Sequence, residues 1–217
     1  MNVEQARFNM IEQQIRPWEV LDQGVLSLLA VVRREEFVPA AYRALAFVDT
    51  EVPLPEHQRM LAPRVEARLL QELRLAHHEN VLEVGAGSGY MAALLAHQAG
   101  RVTTLEIRPT LAAMARTNLQ HADVGNAQVV EADGVKGHAA QAPFDAIVLS
   151  GSVADVPAAL LGQLKVGGRL VAIVGQEPVM CALLITRVAE QQFKRVELFD
   201  AAAPRLDGFG EPTRFHF

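Results

Sequence analysis

The chain has a single cysteine, Cys181, so no disulfide forms within it, and its place in an apolar run reads as a buried small residue. It has no dense Lys/Arg cluster, and its formal net charge of −5 argues against a broad nucleic-acid footprint. No apolar run approaches the length of a membrane span. The first residues are polar throughout (Asn2, Glu4, Gln5, Arg7) and lack an apolar stretch. No signal peptide is therefore expected, and the cytoplasm is the default setting. The seven histidines are scattered, and the adjacent His77 and His78 do not converge on one ion, so no metal site is expected. Repeats and low-complexity tracts are missing too. What remains is an ordinary globular profile. Half of the 217 residues are hydrophobic and 21% are charged, enough for one domain with a sizeable core. Oligomeric state is not legible.

The most informative stretch is Asn80-Val81-Leu82-Glu83-Val84-Gly85-Ala86-Gly87-Ser88-Gly89-Tyr90. A short apolar run over 81–84 predicts a buried parallel strand, and Met91, Leu94 and Leu95 begin a helical pattern. Between them, Gly85, Gly87 and Gly89 alternate, which allows positive φ and close approach of a ligand to the backbone. A dinucleotide fingerprint needs G-x-G-x-x-G, but Tyr90 stands at the last position. Glu83 adds a carboxylate at the mouth of the loop, awkward for a pyrophosphate and suited to an ammonium. S-adenosylmethionine carries an ammonium, a sulfonium and no phosphate, and it is the cofactor the loop predicts.

Upstream, residues 2–15 read as a helix with Phe8, Ile11 and Ile15 on one stripe, stopped at Arg16-Pro17. Asp22 is the expected N-cap of a second helix using Val25, Leu26, Leu29 and Val32. The segment to about Gln58 has little periodicity and reads as an ordered loop draped over the mouth of the domain. Pro63 opens a third helix through Val65, Leu69, Leu70 and Leu73. From residue 80, strands at 81–84, 101–106, 127–131, 144–150 and 169–174 alternate with helices at 89–99, 109–121 and 156–164. Segments 181–188 and 193–199 follow without a helix between them and read as an antiparallel pair. The expected architecture is α/β: a Rossmann-like, doubly wound, mostly parallel sheet with an antiparallel C-terminal edge pair and an N-terminal helical appendage. Residues 1–79 form that helical segment packed on a core at 80–217, one domain overall.

Ligands of such sheets lie at the carboxyl ends of the strands. Glu106, about twenty residues after the first glycine, is placed to accept ribose hydroxyl hydrogens. Asp133 could meet an adenine amino group, with Gly134 leaving room for the ring. Ser150 ends the fourth strand, facing the transferable group. Asp145, at the start of that strand, reads as structural.

The segments 81–90, 105–107, 132–134, 144–150 and 164–171 resemble the seven-stranded S-adenosylmethionine-dependent methyltransferases. Arg33-Arg34-Glu35-Glu36-Phe37-Val38-Pro39, then Asp49, Pro63, the glycine loop, Ala142-Pro143-Phe144-Asp145-Ala146-Ile147 and Pro157 resemble the protein-L-isoaspartate O-methyltransferase family more closely. The resemblance covers most of the chain. It implies that Glu83, Gly85, Gly87, Gly89, Tyr90, Glu106, Asp133 and Gly134 line the cofactor site. The family's active-site serine segment is altered here to Gln58-Arg59-Met60-Leu61-Ala62-Pro63, with Leu61 at the serine position. Leucine neither donates nor accepts a hydrogen bond, so the catalytic assignment is left open, with His57, Gln58 and Arg59 as rim candidates. Ala201-Ala202-Ala203-Pro204-Arg205-Leu206 likewise departs from the run expected near the substrate cleft.

The leading reading is methyl esterification of a protein or peptide carboxylate at L-isoaspartyl damage. The alternatives are a diverged enzyme acting on another carboxylate or a small metabolite, a non-catalytic cofactor-binding module, and a nicotinamide oxidoreductase. Tyr90 and Glu83 disfavour the last, and the intact glycine loop disfavours the module.

Overall fold

The computed structural model describes residues 2–210. Its centre is a seven-stranded sheet built from β3 (Asn80–Val84), β4 (Arg101–Glu106), β5 (Ala127–Glu131), β6 (Phe144–Val153), β7 (Leu164–Gln176), β8 (Val179–Ala189) and β9 (Gln192–Asp200). Their order is β5-β4-β3-β6-β7-β8-β9. The strands from β5 to β7 pair in parallel, and β7, β8 and β9 pair antiparallel, as expected for the C-terminal edge. The chain leaves β3 for β4 and β5 on one side, then crosses to β6 on the other. That reversal opens a crevice at the strand ends, where such sheets bind ligands.

Alternation along each strand separates two apolar layers. Val81, Val102, Ala146, Val148 and Val171 face one layer, and Leu82, Val84, Leu105, Ile147 and Leu149 face the other. The first layer contains α1 (Val3–Met10), α2 (Gln23–Val31), α3 (Pro63–Leu73), α4 (Tyr90–Gln98) and α5 (Pro109–His121). The N-terminal elements therefore share a hydrophobic cluster with the sheet. Helix α4 is buried from Tyr90 to Ala96 because it packs between α2, α3, α5 and β4. Full burial of a leucine such as Leu94 or Leu95 contributes about 1.5–3 kcal/mol. The second layer is thinner: short 3-10 turns at Gly134–Lys136 and Ala139–Gln141, and α6 (Ala158–Leu161).

Several elements differ from expectation for identifiable reasons. The first helix passes at Met10 into a π turn, Ile11–Ile15, and then a 3-10 turn, Arg16–Trp18. Ile11 and Ile15 are buried as the expected stripe requires, together with Arg7 and Met10, whereas Phe8 is left 59% exposed. Asp22 does cap α2, accepting from the Val25 N–H at 3.0 Å. Helix α6 is four residues long, not nine, because the Phe144 N–H takes the Gln163 carbonyl at 2.8 Å and draws the chain early into β7. Gly167 and Gly168 lie at a bulge inside β7, where the register jumps from Phe144↔Leu164 to Ala146↔Arg169. Cys181 is half-buried in β8, not sealed.

The segment before α3 has more order than its sequence suggests. β1 (Val52–Pro53) and β2 (Arg59–Met60) form a small hairpin around a 3-10 turn at Pro55–His57. It stands over the ends of the parallel strands. Asp145 is structural as expected, accepting from the Asn80 N–H and from Lys165 Nζ, each at 2.8 Å. Burial alone would raise its carboxyl, but these two donors hold it below its ordinary value. Among the described residues, no helix is long and apolar enough to cross a membrane.

Candidate functional site

The glycine loop turns back toward β4 at the end of β3. The Gly85 and Ala86 N–H groups both donate to the Leu105 carbonyl, at 2.8 and 3.2 Å. Gly85, Gly87 and Gly89 have φ of +91°, +51° and +85°, a region that costs L side chains strain, which accounts for their alternation. Glu106 locks the loop from the next strand. Its carboxylate accepts from the Gly87 N–H at 2.9 Å and from the Arg108 N–H at 3.0 Å, and the residue is buried.

Beneath the loop lies Glu83, on the face of β3 that α3 and α4 cover. It is fully buried. One oxygen accepts from Ser150 Oγ at 2.6 Å, and the other, Oε2, has no hydrogen-bond partner. Burial pushes the Glu83 carboxyl up to about 8, the Ser150 and Thr104 hydroxyls oppose the rise, and the neighbouring carboxylates of Glu66 and Glu106 add to it. Glu83 was expected at the mouth of the loop. It forms the floor of the pocket instead, because the helical layer closes over that face of the strand.

Glu66 on α3 is the third buried carboxylate. It is ion-paired with Arg34, whose guanidinium also donates to the Leu61 carbonyl at 2.6 Å and lies 5.0 Å from the centre of the Tyr90 ring. Burial raises the Glu66 carboxyl to about 7 against the pull of Arg34. Phe37 packs edge-on to Tyr90 at 5.4 Å. The Arg33–Phe37 stretch thus joins α3, the hairpin exit and the first residue of α4 in one buried knot.

The outer wall is made by the hairpin and a C-terminal strap. Pro204 and Leu206 bridge to Ser152: the Ser152 N–H donates to the Pro204 carbonyl at 2.7 Å, and the Leu206 N–H donates to Ser152 O at 2.9 Å. The Leu206 side chain lies so close to Gly85 and Gly151 that a Cβ on either would come within 2.7 or 2.8 Å of it. Arg108 clasps the two parts, pairing with Glu56 of the hairpin turn at 2.9 Å and with Asp207 of the strap at 2.6 Å.

One pocket is lined by Glu83, Gly85, Gly87, Tyr90, Glu106, Gly134 and Ser150, together with Gln58, Arg59 and Leu61. Three of the expected residues lie elsewhere. Gly89 packs against Ala115 on α5, and His57 sits in the hairpin turn with φ +60°. Asp133 caps the 3-10 turn through the Val135 N–H, with its carboxylate against Gly208. Gly134 is there for packing: a Cβ would overlap Val84 on β3. Arg59 lines the rim, largely exposed and paired with Glu51 at 3.2 Å. Leu61 is buried in the wall.

Sequence reasoning missed Arg34, Glu66, Arg108, Leu206 and Asp207. A signal existed for Glu66, which stands three and four residues before Leu69 and Leu70 and so falls on the apolar face of α3. None existed for the Arg108–Asp207 pair, whose members are 99 residues apart. Among the described residues, no group of three or more His, Cys, Asp or Glu is arranged to hold a metal ion.

A family model described as protein-L-isoaspartate(D-aspartate) O-methyltransferase matches residues 5–199. A protein-L-isoaspartate O-methyltransferase of Koribacter versatilis (strain Ellin345) is 42% identical over 202 residues, covering 93% of this chain and 90% of that protein. One from Rhodopseudomonas palustris (strain ATCC BAA-98 / CGA009) is 43% identical over 192 residues, 88% of each. Among solved structures, a putative protein-L-isoaspartate O-methyltransferase from Plasmodium falciparum, in complex with S-adenosyl-L-homocysteine, superposes with a TM-score of 0.80. The alignment covers 95% of this chain and 99% of that one at 19% identity, a likeness of fold.

Proposed function

The chain belongs to the protein-L-isoaspartate(D-aspartate) O-methyltransferase family, and from that premise we propose that it methylates a carboxylate of damaged protein or peptide, using S-adenosylmethionine. The observation that carries the cofactor reading is Glu83: a fully buried carboxylate on the pocket floor with one oxygen unpartnered. A buried acceptor of that kind suits a cationic ligand and opposes a pyrophosphate. Gly85 and Gly87 line the pocket with bare backbone, and Glu106 stands at the end of β4 where ribose hydroxyls can donate to it. The residues present fit the group. When bound, S-adenosylmethionine supplies a methyl group on a sulfonium.

The residues of the chain then position and exclude. A carboxylate acceptor has a reference pKa near ~4 and is ionised at neutral pH, so the site needs no general base. Its task is to hold an oxygen in line with the methyl group, away from water. Leu54, Met60 and Leu61 give the wall beside the acceptor an apolar surface. Arg59 stands at the rim to pair with an anionic group of the acceptor. In this proposal residues 1–79 form the helical cover and 80–217 the cofactor-binding core, in the cytoplasm.

Leu61 favours a second reading, in which the acceptor is another carboxylate. Its buried side chain offers no hydrogen bond where the family's serine is expected. Methyl incorporation from labelled S-adenosylmethionine into an isoaspartyl peptide, against its aspartyl twin, separates the two. Base-labile label on the isoaspartyl peptide alone supports the first reading. No label on either, with S-adenosylhomocysteine still bound, supports the second. Failure to bind S-adenosylhomocysteine would sink both.

A further inference from the structure

The Arg34–Glu66 pair is a poor way to stabilise a fold. Both side chains are almost sealed, at 1% and 5% exposure, and taking two ions out of water costs about as much as their pairing returns. An apolar pair of similar volume would serve the core as well. What it would lack is direction. A guanidinium is a planar fork whose donors point along fixed lines. Arg34 gives one arm to Glu66 on α3 and the other to the Leu61 carbonyl at 2.6 Å. Its guanidinium carbon lies 5.0 Å from the centre of the ring of Tyr90, the first residue of α4. The turn that carries Arg34 is itself anchored, because the next residue, Glu35, pairs with Arg7 of α1. Leu61, Glu66 and Tyr90 all line the pocket, and Arg34 stands behind them.

The Leu61 side chain neither donates nor accepts a hydrogen bond, so it can orient an acceptor only by where it stands. The hairpin that leads into it gives little support. β1 and β2 share two residue pairs, and the turn between them holds Glu56 and His57 at φ +57° and +60°. Resting on the methyltransferase reading given above, we propose that Arg34, aimed by Glu66, is a positioning residue for methyl transfer. It sets the wall at Leu61 against the start of α4, and with it the acceptor oxygen against the cofactor. The bonds that shape the glycine loop do not involve Arg34. They run from Gly85 and Ala86 to the Leu105 carbonyl and from Gly87 to Glu106. Removal of the pair therefore spares the cofactor and misplaces the acceptor. A misplacement of about 1 Å costs such a transfer roughly a hundredfold in rate.

Arg34→Met combined with Glu66→Met removes both charges together, so the core keeps its volume and no ion is orphaned. The double variant should melt close to wild type, and its S-adenosylhomocysteine affinity by calorimetry should stay within about threefold. Single-turnover transfer from labelled S-adenosylmethionine to a saturating isoaspartyl peptide should fall roughly a hundredfold. Hydrogen exchange gives a reading that needs no acceptor. With S-adenosylhomocysteine bound, amides over 52–61 should exchange on the order of tenfold faster than in wild type, and those over 85–89 at the wild-type rate. Should the double variant not fold, Arg34→Lys carries the test: it keeps the charge opposite Glu66 but not the fork, and should show the same split to a smaller degree. Wild-type transfer in a folded variant, with unchanged exchange over 52–61, would overturn the proposal. So would equal losses of cofactor affinity and transfer, which would make the pair a support of the glycine loop. If wild type binds S-adenosylhomocysteine but labels no peptide, the isoaspartyl reading fails alone and exchange decides this one. If wild type does not bind it, the cofactor reading fails, and exchange in the free protein still decides.

Discussion

The inner and outer walls of the pocket are held together differently. The inner wall, at the ends of β3, β4 and β6, consists of a glycine loop tied by backbone hydrogen bonds and of three carboxylates almost sealed from water. In the outer wall the strap is tied to β6 by backbone bonds at Ser152. Hairpin and strap are joined to each other by side-chain pairs in contact with solvent, through Arg108, which is 28% exposed. Buried ionic groups cannot be altered singly without leaving a charge uncompensated, whereas exposed pairs contribute little each and exchange freely. The inner wall suits a ligand that stays the same. In the outer wall the exposed Arg59 can be exchanged without endangering the fold, whereas Leu61 is buried and part of the core.

The sharpest break of that contrast is Arg34→Met. It leaves Glu66 buried without its partner and should destabilise the protein by about 3–5 kcal/mol in urea denaturation. Adding Glu66→Gln should recover part of that loss, since the orphaned charge is then gone. Next comes Glu106→Ala, which removes the acceptor of the Gly87 N–H and the expected ribose contact. S-adenosylhomocysteine affinity should fall roughly tenfold to a hundredfold by calorimetry, the range of a hydrogen bond to a charged group. Unchanged affinity would remove Glu106 from the site.

A smaller effect is expected from pH. The folded protein holds the Glu83 proton up to about 8, whereas the ordinary value is 4.5. Between those values the unfolded chain binds fewer protons than the folded one, so stability of the unliganded protein falls as pH rises through that window. Glu83→Gln should therefore raise Tm more at the alkaline end than at the acid end. A gain independent of pH would contradict the buried, protonated carboxyl. The smallest effect belongs to the outer wall. Asp207→Asn loosens the Arg108 clasp and should change stability by no more than about 1 kcal/mol. Release of S-adenosylhomocysteine in stopped flow should nonetheless quicken several-fold, and an unchanged rate would mean that the strap does not gate the pocket.

Much of this contrast can be read from local sequence, and the part that cannot has a common cause. The glycine spacing, the apolar run of β3 and the Pro63 start of α3 are properties of consecutive residues, and each element forms where those patterns stand. Of the first helix's stripe only Phe8 fell outside the buried face, and the length of α6 changed because a neighbouring strand competes for its last residues. Glu83 looked like a group at a loop mouth, since nothing in its neighbours tells that α3 will close over it.

By itself the sequence determined the order of strands and helices, the parallel sheet and the turn of the glycine loop. These follow from side-chain periodicity and backbone φ preferences, which act over a few residues. Only the tertiary structure decided which charges are stripped of water and which are paired. It set Glu83 on the pocket floor, Arg34 against Glu66, and Arg108 between Glu56 and Asp207. The reason is physical: desolvation and ion pairing depend on segments far apart in the chain arriving at the same place, and no local pattern records that meeting.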